Sequence, residues 1–336
     1  MKKILRFILL FVLCLCFLGF PSDTYAYQSS EVSKTIDKID DVIIGGDTIG
    51  LRIKTNVTIV GKYNVLTNNG NVEPWKNSDI RDGDIIYSAN NYLVKSNDDF
   101  NQLIKNLKTD KLSLVLIRDD EMINTYIDVV QNEKGLNSIG LYIKDHITGI
   151  GTLTFINPKT NKFASLGHNV SDSSNEGSIY DSSIKGIKKG TRGVPGEKYA
   201  ILGKNEIGTI YKNCNVGVFG DYAKSSNNEI VPLIKASSVK KGKAQIATVI
   251  NGNEIKYYDI EIEEVDKQKE TDIKGIKFKI VDQELIDITG GVIQGMSGSP
   301  IIQNGCLVGA VSHVIVNDPS LGYGVFAEWM YYNTLN

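Results

Sequence analysis

The residues best suited to chemistry lie in Gly295-Met296-Ser297-Gly298-Ser299-Pro300, directly ahead of the apolar run Ile301-Ile302. A serine hydroxyl held between glycines on a tight turn stands clear of bulky neighbours. The glycines also let the surrounding N–H groups, those of Gly295 and Ser297, close around a developing oxyanion. A serine hydroxyl is a weak nucleophile without a base, and the chain offers three histidines, His146, His168 and His313. His168 closes the apolar stretch Phe163-Ala164-Ser165-Leu166-Gly167. His146 sits in the polar turn Lys144-Asp145-His146, and His313 follows the serine. The chain order favours His168 as base. An acid that orients the imidazole completes such a site, and Asp221, Asp282 and Asp287 all stand between His168 and Ser297.

The pattern G-x-S-G-x-P resembles the nucleophile turn of chymotrypsin-like serine peptidases. It is followed by Ile301-Ile302-Gln303-Asn304-Gly305-Cys306-Leu307-Val308-Gly309, a strand, an Asn-Gly turn and a strand. Together with Leu166-Gly167-His168-Asn169-Val170, Ala310-Val311-Ser312-His313-Val314 and Gly322-Tyr323-Gly324-Val325, these segments resemble the stage IV sporulation protein B family of serine peptidases. The resemblance runs over nearly the whole chain. It implies a chymotrypsin-like double β-barrel with His168 as base and Ser297 as nucleophile, and it points to Asp282, 15 residues before the serine, as the acid. Asp221 has the spacing from His168 that is more usual for that fold. Ser312 would begin the edge that binds the substrate backbone, and Gly322–Phe326 would close the primary specificity pocket. Ser299 reads as a turn residue rather than a second nucleophile. Met296 replaces the acid that pairs with a new N-terminus in zymogens, which argues against that activation route.

These groups need a β scaffold to position them. From residue 140 onward, short apolar runs such as Ile150–Ile156, Ala244–Ile250 and Tyr257–Ile262 alternate with Gly, Asn, Asp and Ser turns, and no long helical period occurs. That is the pattern of a barrel or sandwich. The turn-rich stretch 171–196 reads as a mobile or pocket-shaping loop.

The mature length exceeds one ordinary core, and residues 41–131 form a distinct unit, with residues 140–336 as the peptidase domain. Ser96 caps a helix running to Leu107 with Phe100, Leu103, Ile104 and Leu107 on one face. The segment Arg81-Asp82-Gly83-Asp84-Ile85-Ile86 resembles the "GD-x-I" strand of PDZ domains. Gly50-Leu51-Arg52-Ile53 resembles the PDZ carboxylate-binding loop and first pocket strand. The unit is therefore expected to be an α+β PDZ domain that adds a peptide strand to an open sheet edge.

Lys2, Lys3 and Arg6 precede the uncharged stretch Phe7–Phe20, and Thr24-Tyr25-Ala26 offers a cleavage site. Residues 1–26 read as a secretory signal peptide or an N-terminal anchor that touches the membrane, and residues 27–40 as a linker. Of four cysteines, only Cys214 and Cys306 lie beyond that segment, which excludes a disulfide framework; both read as buried apolar residues. No metal-binding spacing and no cofactor motif occurs. With 37 Lys and Arg against 39 Asp and Glu and no basic block, nucleic-acid binding is not suggested.

The expectation is a secreted serine endopeptidase with a regulatory PDZ domain. The family resemblance implies sporulation signalling in the space between forespore and mother cell. There the enzyme would cleave a membrane-associated regulatory protein, releasing a membrane metalloprotease that matures a mother-cell sigma factor, and would also cleave itself. The alternative is a secreted PDZ scaffold with an inactive peptidase-like domain.

Overall fold

The computed structural model describes residues 37–170, 174–268 and 270–335. The expected signal or anchor segment, 1–26, and most of the expected linker lie outside the described residues.

The described chain is mainly β. It opens with β1 (Lys38–Ile44) and the long β2 (Thr48–Lys62). There follow β3 (Val65–Thr67), β4 (Gly70–Val72), β5 (Ile85–Ala89), β6 (Tyr92–Leu93) and the helix α1 (Asn97–Lys105). Next come β7 (Lys111–Arg118), β8 (Glu121–Asp128), β9 (Val130–Gln131), β10 (Asn137–Ser138) and the second long strand, β11 (Leu141–Asn157). Then follow β12 (Lys162–Ser165), β13 (Gly177–Lys188), β14 (Glu197–Cys214), β15 (Gly217–Tyr222) and β16 (Ile230–Ile234). The last third holds β17 (Gly242–Val249), β18 (Ile255–Val265), β19 (Ile276–Ile280), the helix α2 (Gln283–Thr289), β20 (Pro300–Gln303), β21 (Cys306–Val314), β22 (Leu321–Phe326) and the short helix α3 (Ala327–Tyr331).

Following the hydrogen bonds from neighbour to neighbour gives two closed rings. The first runs β2–β11–β12–β15–β14–β13 and back to β2, antiparallel throughout. The second runs β17–β18–β19–β22–β21–β20 and back to β17, again antiparallel. Closure removes the edges that an open sheet leaves exposed. β1 ties the rings together, since it pairs with β11 of the first and with β16, which meets β21 of the second at Leu233 and Leu307. Each ring has its own filling. Ile49, Leu51, Ile53, Leu153, Phe163 and Val218 fill the first, and Ile246, Ile260, Phe278 and Ile301 are buried on strands of the second. The double β-barrel implied by the resemblance is thus the fold.

The N-terminal unit is an excursion from the first barrel rather than a bead ahead of it. β2 and β11 pair from Thr48↔Thr152 in the barrel out to Lys62↔Leu141, and β5 joins the outer half of β2 at Thr58↔Ile85. β7 and β8 extend this sheet, and Phe100 and Ile104 of α1 pack on Val57, Ile59, Leu114 and Leu141. Ser96 caps α1 as expected, accepting the Asp99 N–H at 3.1 Å. Asp84, after the Arg81-Asp82-Gly83 turn, is buried and takes two hydrogen bonds of 2.7 Å from Arg118.

Three expectations change. Residues 38–44 and 48–53 pair with barrel strands, so the expected 41–131 unit takes in the β2 wall of the first barrel and the expected peptidase domain from 140 leaves it out. Gly50, Leu51, Arg52 and Ile53 are not a peptide-binding edge. They pair with Ile150, Gly149, Thr148 and Ile147 on one side and with Tyr180, Ile179, Ser178 and Gly177 on the other. A residue with both backbone neighbours occupied cannot accept an added strand, and Leu51 and Ile53 point into the barrel core. Finally, the middle of the stretch 171–196 is not a loop, because Gly177–Lys188 forms β13.

Candidate active site

The serine turn is built by β11. The Thr152 N–H donates to the Ser297 carbonyl at 2.9 Å, its hydroxyl to the Gly295 carbonyl at 2.9 Å, and the Thr154 hydroxyl to the Gly298 carbonyl at 2.8 Å. β21 holds the other side through Gly298 N–H to the Val311 carbonyl, 2.7 Å, and Val311 N–H to the Ser299 carbonyl, 2.9 Å. Gly295 and Gly298 adopt φ of +90° and +91°, which glycine reaches without steric cost. A Cβ on Gly298 would lie 2.1 Å from the Thr152 carbonyl oxygen. Ser299 is fully buried and hydrogen-bonded to the Thr248 hydroxyl at 3.0 Å, so it is a turn residue. Among the described residues, neither the Gly295 nor the Ser297 N–H has a hydrogen-bond partner. These are the two donors an oxyanion needs.

His168 reaches the same place from the first barrel. Leu166 and Gly167, at φ +68° and +67°, turn the chain sharply after β12. Gly167 sits so close to β21 that a Cβ would lie 3.2 Å from the Val311 carbonyl. This brings His168 beside the second barrel, where its ring centroid is 5.6 Å from that of His313. His168 Nδ1 lies 2.7 Å from the Asn169 carbonyl oxygen. A carbonyl only accepts, so Nδ1 carries the proton and Nε2 presents the lone pair. Burial pushes the His168 pKa below 6.5, with the Asn169 hydrogen bond opposing it. The imidazole is therefore neutral at pH 7, as a base must be.

His168 and Ser297 line one cleft of about 610 Å³, together with Leu51, Lys198, Val292 and His313. The Ser297 hydroxyl donates to the Ser312 carbonyl at 3.4 Å, a long bond that leaves it free to swing. Ser312 itself is buried, its hydroxyl donating to the Ile273 and Tyr323 carbonyls. The pairing of β20 with β21 ends at Pro300↔Ala310, so beyond the serine turn Ser312–Val314 presents strand backbone to the cleft.

The expected acid is elsewhere. Asp282 is the N-cap of α2. It accepts the Leu285 N–H at 2.9 Å and the Asp259 N–H at 3.4 Å and does not line the cleft. A carboxylate three residues ahead of an orphan helix N–H is drawn to it by geometry and by the helix dipole. That local demand decides the place of Asp282. Asp221 lies on β15 with an ion pair to Lys162 at 3.4 Å, and Asp287 accepts from Gln283 at 2.8 Å. Neither lines the cleft. Among the described residues, no carboxylate bonds His168, and the Asn169 carbonyl orients the ring. His146 pairs with Asp145 at 2.8 Å, away from the cleft. Cys214 and Cys306 are free thiols, Cys306 buried and Cys214 half-buried. No three His, Cys, Asp or Glu side chains gather as a metal site among the described residues.

Sequence reasoning missed Thr152, Thr154 and Lys198. The two threonines are hidden in the run Ile150–Ile156, although their alternation with apolar residues marks a single strand face. Lys198, in Glu197-Lys198-Tyr199, has the pattern of a solvated strand and carries no local mark of burial.

A profile of the SpoIVB peptidase S55 family matches residues 135–331. Among solved structures, the Rv3671c protease from M. tuberculosis in its active form is similar at 16% identity and a TM-score of 0.35, covering 56% of this chain and 73% of that one. The inactive form of Rv3671c protease is similar at 17% identity and a TM-score of 0.35, covering 56% and 85%. No curated protein matches the chain.

Proposed function

We propose, for a chain that belongs to the SpoIVB peptidase S55 family and is a serine peptidase, that Ser297 is the nucleophile and His168 the general base. One observation carries this reading: the two side chains come from different barrels to line one cleft in which the Gly295 and Ser297 N–H groups are unspent. His168 Nε2 takes the Ser297 proton as Oγ bonds to the peptide carbonyl carbon. The carbonyl electron pair moves to oxygen, where the two N–H groups hold it. Collapse breaks the C–N bond, and the amine leaves with the proton from His168. Water then repeats the sequence on the acyl-enzyme. The substrate backbone lies along Ser312–Val314 as an added strand. Asp282 has no part in these steps.

In our reading the enzyme is a secreted endopeptidase of sporulation signalling that cleaves a membrane-associated regulatory protein and itself. Membership of the family supports the sporulation setting, and the Lys2-to-Ala26 pattern supports secretion. We read the inserted unit as a regulatory PDZ domain. Its support is α1 packed beside the outer half of β11, whose pairing with β12 begins only at Leu153.

The test is labelling by a fluorophosphonate, together with proteolysis of casein and of the protein itself, by wild type, Ser297→Ala and His168→Ala. Loss of the nucleophile costs on the order of a million-fold in turnover. Labelling or cleavage that survives Ser297→Ala rejects the assignment.

A further inference from the structure

Behind the serine turn lies a lysine that the mechanism does not use. Lys198 is only 2% exposed, whereas lysines are almost never fully buried unless paired. Its ammonium has three donors, yet its one hydrogen bond runs to the Thr248 hydroxyl, 2.8 Å away. No carboxylate pairs with it among the described residues. Burial lowers its pKa to about 7. The groups around its tip, Thr248 and beyond it Ser299 and Thr152, are uncharged. The titratable side chains of the adjoining cleft are Glu197, His168 and His313.

The position of the lysine gives it a structural use. Its backbone N–H donates to the Gln294 carbonyl at 3.0 Å, and the Gln294 N–H donates to the Gly196 carbonyl at 2.9 Å. The start of β14 is thereby fastened to the residue before Gly295. The aliphatic stem lies over Gly295 itself, so that a Cβ there would come within 3.1–3.2 Å of the Cβ, Cγ and Cδ of Lys198. The tip crosses from the first barrel to Thr248 on β17 of the second. Thr248 receives the Ser299 hydroxyl at 3.0 Å, Ser299 lies 3.5 Å from the Thr152 hydroxyl, and Thr152 donates to the Gly295 carbonyl. Gly295 is thus held on one face by the lysine stem and at its carbonyl by hydroxyls that lead back to the lysine tip.

We propose that Lys198 is a positioning residue for the oxyanion hole, holding the Gly295 peptide in place by its stem and by its tie to Thr248 across the two barrels. The proposal rests on the reading of Ser297 as nucleophile for its kinetic consequence, but not for its structural one. A residue of this kind acts on the transition state and leaves substrate binding along Ser312–Val314 alone. Its loss therefore appears in kcat rather than in KM.

The experiment compares wild type with Lys198→Met, which keeps a stem and removes the amine. Thr248→Val, which removes the acceptor, and Thr248→Ser, which keeps it, complete the set. Three quantities are read: kcat and KM on a peptide substrate, the rate of Ser297 phosphonylation, and amide hydrogen exchange of residues 291–299 against β17. Lys198→Met and Thr248→Val are expected to lower kcat and the phosphonylation rate about 100- to 1,000-fold, the range for a lost oxyanion donor. KM should stay within about threefold. Exchange in 291–299 should accelerate while β17 exchanges as before, and Thr248→Ser should restore wild-type values. Unchanged exchange in 291–299 in Lys198→Met overturns the proposal whether or not the protein cleaves peptides. So does a loss of kcat that Thr248→Ser shares with Thr248→Val. If Ser297→Ala is labelled as fast as wild type, the nucleophile assignment fails instead, and the exchange result still decides the role of Lys198.

Discussion

At the scale of single residues, the site depends on protonation and on the direction of lone pairs. His168 is held by a carbonyl and depressed by burial, so its base form persists to lower pH than in a solvated imidazole. The acid limb of kcat/KM should therefore have a one-proton midpoint below 6.5 and vanish in no variant that keeps His168; a midpoint above 6.5 contradicts the burial argument. The same shift makes folding weaken as pH falls through 6.5, because the unfolded chain takes up the proton first. Asp282→Ala separates the cap from the triad. With the Leu285 N–H left unsatisfied, stability should drop by about 1 kcal/mol, while kcat stays within a few-fold. A drop of several orders of magnitude in kcat, as seen on removing a triad acid, would return Asp282 to the catalytic machinery.

At the scale of elements, the serine turn is shaped by two strands of different barrels, β11 and β21, rather than by its own sequence. Gly298→Ala must move the Thr152 carbonyl, 2.1 Å from the new Cβ, in a backbone conformation that alanine rarely adopts. Loss of activity and a fall in melting temperature are expected together. Thr154→Val removes only the bond to the Gly298 carbonyl at nearly constant volume, and leaves that carbonyl buried without its partner. A cost of about 1–3 kcal/mol in chemical denaturation follows, and an unchanged midpoint would show that the clamp is idle. The sequence made the turn and its hairpin legible, since Gly and Asn-Gly act locally. It did not make the clamp legible, because Thr152 is 145 residues from Ser297 and meets it only when the barrels are closed.

Across the whole molecule, β2 and β11 each serve two cores, the barrel through Leu51 and Leu153 and the inserted unit through Val57 and Leu141. A cut between residues 131 and 140 therefore divides neither unit cleanly. A fragment of residues 140–336 lacks the β2 wall of the first barrel and should fail to give a cooperative thermal transition, whereas residues 37–336 should give one. A folded, active 140–336 fragment would disprove the shared-strand architecture. Family similarity begins at residue 135, yet the first barrel closes with β2, which begins at Thr48.

The sequence by itself determined the β character, the helix capped by Ser96 (which ends at Lys105, two residues short of the expected Leu107), the Asn-Gly hairpin and the serine turn, and it singled out His168 and Ser297 as candidates. Each of these depends on residue types within a few positions or on a resemblance carried by short motifs. The tertiary structure alone decided which aspartate serves which neighbour, and that Gly50–Ile53 is a barrel wall rather than a peptide groove. It also decided that Lys198 is buried against Gly295 of the serine turn. Those outcomes depend on which strands pair and which surfaces close over them. Pairing between distant segments is set by the packing of the two barrels as wholes, which no local pattern of residues encodes.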